Sequence, residues 1–209
     1  MMHSRFYKTV ELFLLFILIP VTLTLPAWPI LKAVLGLMGF VYVVFYLLRI
    51  EKLKFRLASP LDWKRFWKRT LIKLLALAVL SVVYVFLFDK ENLFEIVLNK
   101  PKLWMVILLV YSLLSVYPQE LVYRTFFFSR YKTLFSSKAQ LVFINATVFA
   151  LAHLFFRNAL VLVLTFLGGI IFALTFLKTK STLLVSIEHA IYGCWLFTVG
   201  MGNMLGFPH

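Results

Sequence analysis

Five ionisable residues lie within segments that are hydrophobic enough to enter a bilayer. They are Glu120, Arg124, His153, Glu188 and His189, and they fall on three separate apolar segments. Titratable side chains are costly in hydrocarbon, so those at membrane depth usually face a bundle interior and mark functional sites. A carboxylate and two imidazoles can together activate a water molecule. These residue types therefore predict hydrolytic chemistry inside a membrane.

The set Glu120, His153 and His189 fits two hydrolytic mechanisms. The three side chains are a two-His, one-Glu ligand set for a divalent metal such as zinc. Alternatively, Glu120 is a general base, and the histidines stabilise an oxyanion without any metal. No two of the three share a helix turn, so the paired-histidine helix motif of zinc proteases is absent and packing must assemble the site. The sequence leaves both mechanisms open.

Each of the other polar positions has a structural and a functional interpretation. Glu120 and Arg124 are four residues apart, a spacing at which an ion pair can form on one helix face, and Arg124 can serve simply to lock two helices together. His153 follows Phe149 by four residues, which places both on one face. A single membrane histidine often acts only as an interhelical hydrogen-bond donor.

Glu188 is adjacent to His189 in the sequence SIEHAIYG. Neighbouring residues on a helix point about 100° apart, so both side chains cannot face one centre equally. We therefore expect Glu188 to be a partner of other groups or an interfacial residue rather than a second catalytic acid.

The composition indicates a membrane protein that is built from helices. Of its 209 residues 63% are hydrophobic, and the mean hydropathy is +0.95, whereas soluble domains are about 45–50% apolar. Without a repeat or a linker, residues 1–209 are predicted to form a single all-α, polytopic domain. The one cysteine, Cys194, excludes an intramolecular disulfide and a Cys-rich metal cluster.

Seven apolar windows predict about seven transmembrane helices. They cover residues 11–29, 31–48, 71–88, 103–127, 139–156, 159–177 and 182–203. The segment Asp89–Lys102 between two of them is predicted to be an external loop or an interfacial helix.

The net charge of +14 is distributed as expected for a membrane protein rather than for a nucleic-acid-binding protein. Nine of the 22 Lys and Arg residues lie in the predicted loop Arg49–Lys73, together with Trp63, Phe66 and Trp67. A loop of this composition is typical of segments that contact the anionic headgroups of membrane lipids. Alternate loops carry sixteen and five basic residues. The positive-inside rule then predicts a cytoplasmic amino terminus and an external carboxyl terminus.

Three short motifs resemble those of the CAAX prenyl protease and bacteriocin-processing family (CPBP, also called Abi). The family motifs EExxxR, FxxxH and HxxxN appear here, in order, as QELVYR (Gln119–Arg124), FALAH (Phe149–His153) and HAIYG (His189–Gly193). The resemblance covers about residues 103–203, the expected catalytic core. Two positions depart from the pattern, because Gln119 replaces the first Glu and Gly193 stands where Asn is often found.

The resemblance implies an intramembrane endopeptidase, glutamate-dependent or metal-dependent, that cleaves in or near a membrane-anchored segment of a protein. Glu120 would activate water and Arg124 would support it, while His153 and His189 would hold the water or stabilise the oxyanion; Gln119, Glu188 and Phe149 are the supporting positions. The expected location is the bacterial inner membrane, and one expected reaction is removal of a carboxy-terminal anchor or sorting signal. The alternative is a non-catalytic immunity or scaffold protein with the same fold.

Overall fold

The computed structural model describes residues 4–26, 28–50 and 62–202. Within these ranges the chain is helical and has no β-strand, which confirms the predicted all-α class. The α-helices in chain order are α1 (Arg5–Phe13), α2 (Ile19–Thr22), α3 (Pro29–Arg49), α4 (Trp63–Phe88), α5 (Glu95–Asn99), α6 (Pro101–Val110), α7 (Tyr117–Glu120), α8 (Phe127–Tyr131), α9 (Lys138–Leu151), α10 (Ala159–Thr179) and α11 (Thr182–Thr198).

Several of these helices are joined by π-helical or 3₁₀ turns without a break. The π-helical segments are Leu14–Leu18, Tyr111–Val116 and Leu121–Phe126. The last two lie on either side of α7, so the helical stretch Pro101–Leu134 alternates between α and π geometry. Glu120 is the last residue of α7.

Five helical stretches of the described chain are long and apolar enough to cross a membrane. They are Pro29–Arg49, Trp63–Phe88, Pro101–Leu134, Lys138–Phe156 and Ala159–Thr179. The first predicted window corresponds to α1 and α2, where Arg5, Lys8 and Glu11 add charge, and the last corresponds to α11, which has 17 residues. The count of seven spans therefore stays a prediction.

The helix boundaries follow from capping residues. Asp62, Ser137 and Ser181 precede α4, α9 and α11, and each accepts a hydrogen bond from a backbone N–H in the first turn, at 2.9, 3.1 and 3.2 Å. Pro29 and Pro101 occupy the first turns of α3 and α6, where a missing N–H costs nothing.

One sequence-based boundary is wrong. The predicted loop Arg49–Lys73 is helical from Trp63 onward, and its basic residues from Lys64 to Lys73 lie on α4; residues 51–61 of that loop lie outside the described residues. The segment Asp89–Lys102, predicted to be an external loop or an interfacial helix, contains the short helix α5, and its place relative to the membrane stays a prediction.

The described residues form two compact units. The first unit draws on Met1–Arg56 and Leu121–Leu177, and the second on Leu57–Glu120 and Lys178–His209. The single-domain organisation stays a prediction.

A buried ion pair stabilises the first unit. Arg130 Nε donates to Glu11 Oε2 at 2.6 Å, and Arg130 Nη1 donates to the Tyr46 hydroxyl at 2.9 Å. Arg130 falls between the predicted windows 103–127 and 139–156, yet it lies in α8 and is buried. Because a buried charge needs a partner, Glu11 ties α1 to α8.

Helix α11 is held in the second unit through hydrogen bonds from two tryptophans. Trp195 donates its indole N–H to Ser81 Oγ on α4, and Trp104 on α6 donates to Thr198 Oγ1, both at 2.9 Å. Indole N–H groups need acceptors when buried. These contacts set the position of α11, which carries Glu188 and His189.

Candidate functional site

Glu120 and His189 contact each other inside the second unit. His189 Nδ1 lies 2.8 Å from Glu120 Oε1, and both side chains are buried. With an ionised Glu120, which only accepts hydrogen bonds, the proton of this contact lies on Nδ1. The pair joins α7 to α11 across 69 residues of sequence.

Tyr111 contacts the other nitrogen of the same imidazole. Its hydroxyl lies 3.2 Å from His189 Nε2, and the two rings meet edge to face with centroids 6.1 Å apart. His189 is therefore held at both ring nitrogens, by a carboxylate and by a phenol. A proton on Nδ1 leaves Nε2 of neutral His189 as an acceptor for the Tyr111 hydroxyl.

Glu188 has a different set of partners from its neighbour His189. Its carboxylate forms an ion pair with Lys73 on α4 and accepts a hydrogen bond from the Tyr192 hydroxyl at 2.9 Å. It is fully buried. The two adjacent residues thus contact separate groups, as the 100° turn between neighbouring helix positions requires.

Gln119 lies beside Glu120 but bonds to its own helix. Its Nε2 donates to Ser115 Oγ at 2.8 Å. Its Oε1 is buried and has no hydrogen-bond partner within the part of the chain that the structure describes.

Arg124 is enclosed in the first unit by an amide and two aromatic rings. Its Nη1 donates to Asn145 Oδ1 at 2.9 Å, and its guanidinium carbon lies 4.7 Å from the centre of the Phe149 ring and 5.8 Å from that of Phe172. Asn145 in turn donates to the Tyr123 carbonyl at 2.6 Å. Guanidinium groups favour the faces of aromatic rings when desolvated.

His153 was predicted to lie on a helix face, but it lies just beyond the end of its helix. Helix α9 ends at Leu151, and His153 occupies the turn before the 3₁₀ segment Leu154–Phe156. It still contacts Phe149, because its Nδ1 is 2.8 Å from the Phe149 carbonyl and the ring centres are 4.9 Å apart.

The structure therefore places the predicted site residues in two groups. Glu120, His189, Glu188 and Gln119 belong to the second unit, and Arg124, His153 and Phe149 belong to the first. The convergence of His153 with Glu120 and His189 stays a prediction. Among the described residues, no three His, Cys, Asp or Glu side chains are grouped so as to hold a metal ion.

The sequence analysis missed two polar residues in these groups, Tyr111 and Asn145. Tyr111 lies in the apolar run LLVYSLL and is easily taken for one more hydrophobic residue. Asn145 was overlooked because it carries no charge. Its spacing, four residues before Phe149 and eight before His153, could have pointed to it. A search for all polar side chains at membrane depth, rather than for ionisable ones, would have identified both.

Residues 101–195 match the family model of Rce1-like proteins, type II CAAX prenyl endopeptidases. The match includes all three motifs and confirms the resemblance predicted from them. Together with the five apolar helices, the match supports an integral membrane protein. Searches of curated proteins and of solved structures gave no significant match.

Proposed function

We propose that the protein is an intramembrane endopeptidase that hydrolyses a peptide bond in or near a membrane-anchored segment of a substrate protein. The observation that carries this proposal is the buried contact between Glu120 and His189, within the segment that matches the endopeptidase family. Carboxylates and imidazoles are the side chains that most often act as general bases and acids.

Glu120 acts as the general base. Its carboxylate takes a proton from a water molecule, and the water oxygen attacks the carbonyl carbon of the scissile peptide bond. The tetrahedral intermediate then collapses, the C–N bond breaks, and the proton held by Glu120 passes to the leaving amine. A carboxylate has about four acceptor positions, so accepting a hydrogen bond from His189 leaves capacity for water.

The remaining residues position Glu120 or stabilise charge. His189 orients the carboxylate through its Nδ1–H. The family resemblance assigns Arg124 to the support of Glu120 and His153 to the water or the oxyanion, whose stabilisation contributes much in a site that excludes water. In a metal-dependent mechanism Glu120, His153 and His189 would be the residues that hold the ion, and the ion would supply a Lewis acid.

The proposed substrate is a hydrophobic segment because Glu120 and His189 are surrounded by apolar helices. A carboxy-terminal membrane anchor or sorting signal has the required chemistry. The reaction separates such an anchor from the rest of the substrate protein.

The test is cleavage of a library of transmembrane peptides, supplemented with a farnesylated CAAX peptide, by the purified protein in lipid nanodiscs. We expect the wild-type protein to cleave at least one peptide. Glu120→Gln keeps the shape of the side chain but removes the base, so the rate should fall by about 100-fold or more.

The matched control is Glu91→Gln, the same change at an exposed residue of the second unit. It should cleave at the wild-type rate. Full cleavage by Glu120→Gln would eliminate the proposed mechanism.

Gln119 favours a second candidate, a non-catalytic membrane protein with the same fold. The family motif has an acid at this position, and an amide cannot accept a proton usefully. A folded wild-type protein that cleaves no member of the library would favour this candidate.

A further inference from the structure

The side chain of Tyr111 occupies the space above Gly193. A Cβ atom added at Gly193 would overlap the Tyr111 hydroxyl and two carbons of its ring. No side chain at position 193 is therefore compatible with the present position of Tyr111. Tyr111 and Gly193 belong to the same unit of the structure.

The hydroxyl that fills this space is also the group that contacts His189. Gly193 lies one helical turn after His189 on α11, so a side chain at position 193 would extend beside the imidazole. Instead, the Tyr111 hydroxyl lies there, 3.2 Å from Nε2, while Nδ1 lies 2.8 Å from Glu120. Glu120, His189 and Tyr111 thus form a continuous row of hydrogen-bonded side chains.

The Tyr111 ring is held in place by packing. It meets the Phe197 ring edge to face with centroids 5.0 Å apart, an arrangement that aromatic pairs favour. Removing only the hydroxyl would leave this contact in place. The hydroxyl and the ring can therefore be tested separately.

We propose that Tyr111 is a positioning residue for the reaction, which holds His189 through Nε2 and supplies the polar group that position 193 lacks. This inference rests on the proposed function and extends it. A phenol both donates and accepts hydrogen bonds, so it contacts Nε2 whether the imidazole is neutral or protonated. Glycine at position 193 is then required to make room for Tyr111, and its departure from the family's asparagine does not mean that function is lost.

The first test is independent of catalysis. Protein labelled with ¹⁵N-histidine is studied by solid-state NMR in nanodiscs, and the His189 resonances are identified by their loss in His189→Gln. Tyr111→Phe should shift the Nε2 resonance, because the hydrogen bond to it is removed, and Glu120→Gln should mainly shift Nδ1. An Nε2 resonance that does not respond to Tyr111→Phe would overturn the inference.

The second test measures turnover of the library peptide that the wild-type protein cleaves fastest. Tyr111→Phe should lower kcat by about tenfold, as expected for one neutral hydrogen bond, and leave KM unchanged. Gly193→Ala should have a similar effect because its methyl group displaces the hydroxyl. The matched control is Gly36→Ala, where an added Cβ has no atom within 4 Å.

A compensating pair distinguishes positioning from simple packing. Tyr111→Ala removes both ring and hydroxyl, and adding Gly193→Asn returns a polar group to the same space. The double variant should recover part of the kcat that Tyr111→Ala loses.

An unchanged kcat in Tyr111→Phe would overturn the role of Tyr111, even if the Nε2 resonance moves. If the wild-type protein cleaves no peptide, the proposed function fails, and the NMR comparison still decides whether Tyr111 holds His189.

Discussion

Two buried glutamates, Glu120 and Glu188, satisfy the same physical requirement with different partners. Both are fully buried, so each needs hydrogen bonds to replace water. Glu188 obtains them from the ammonium group of Lys73 and the hydroxyl of Tyr192, and Glu120 from the imidazole of His189. Glu120 and His189 both belong to the family-like motifs and contact each other, so we propose that the chemistry belongs to Glu120.

The amide at position 119 gives a prediction for the reverse substitution. Gln119 donates to Ser115 Oγ, and a carboxylate there would accept from the same hydroxyl, because serine both donates and accepts. Gln119→Glu should therefore fold normally and cleave the library peptide at the wild-type rate or faster, since it restores the acid pair of the family motif. Initial rates at matched protein concentration measure the effect. A rate below one tenth of wild type would contradict this prediction.

At the scale of elements, the helical stretch that carries Glu120 contains two π-helical segments. In the π-helical segments Tyr111–Val116 and Leu121–Phe126 the hydrogen bonds run from residue i to i+5. Arg124 lies in the second of these segments, and its expected ion pair with Glu120 stays a prediction. Single π turns in long helices frequently mark functional sites.

Asn145 links α9 to the segment Leu121–Phe126, and its removal should weaken the first unit. Asn145→Ala removes an acceptor from buried Arg124 and a donor from the Tyr123 carbonyl. Each buried hydrogen bond contributes about 1 kcal/mol to stability, so the free energy of unfolding should fall by about 2 kcal/mol or more.

Thermal unfolding in detergent measures the effect of Asn145→Ala. The control is Thr147→Ala on the same helix, where the hydroxyl bonds to the Phe143 carbonyl within α9. Equal stability of the two variants would show that Asn145 does not link the elements.

Gly169 allows α10 to approach α9 closely. A Cβ added there would lie 2.9 Å from Ala146 Cα and 3.1 Å from Ala146 Cβ, and backbone atoms cannot move aside as a flexible side chain does. Gly169→Ala should therefore destabilise the protein by about 1–3 kcal/mol, the usual cost of overpacking. Gly36→Ala is the matched control in the same unit, and the thermal unfolding temperatures of the two variants should differ clearly.

The elements that the sequence predicted well are those with uninterrupted apolar runs. The predicted window 159–177 and helix α10 (Ala159–Thr179) nearly coincide, since an uncharged run lies between Asn158 and Lys178. The start of α4 was missed because Lys64, Arg65, Lys68 and Arg69 make its first turns look like a loop. The end of α9 was missed because FALAHLF continues the apolar pattern beyond Leu151.

The site was predictable only in part for a related reason. The cost of burying charge identifies which residues must find partners, and it pointed to Glu120 and His189. It does not identify an uncharged partner such as Tyr111. Glu11 and Arg130 were missed because each lies at the end of an apolar window, where a charge is easily assigned to solvent.

For the whole molecule, the distribution of basic residues predicts the orientation in the membrane. A reporter fused after Pro60 should be cytoplasmic, and a reporter fused after His209 should be external, because sixteen basic residues lie on one predicted side and five on the other. Alkaline phosphatase and green fluorescent protein fusions distinguish the two locations. Both reporters on one side would show that the number of spans is even rather than odd.

The space shared by Tyr111 and Gly193 has an evolutionary consequence. Because the tyrosine hydroxyl and a side chain at position 193 exclude each other, the two positions cannot change independently. Relatives with tyrosine at the first position should keep glycine at the second, and those with asparagine at the second should carry a smaller residue at the first. The two sites should therefore covary, and an ancestor that exchanged one arrangement for the other must have passed through a glycine paired with a smaller residue.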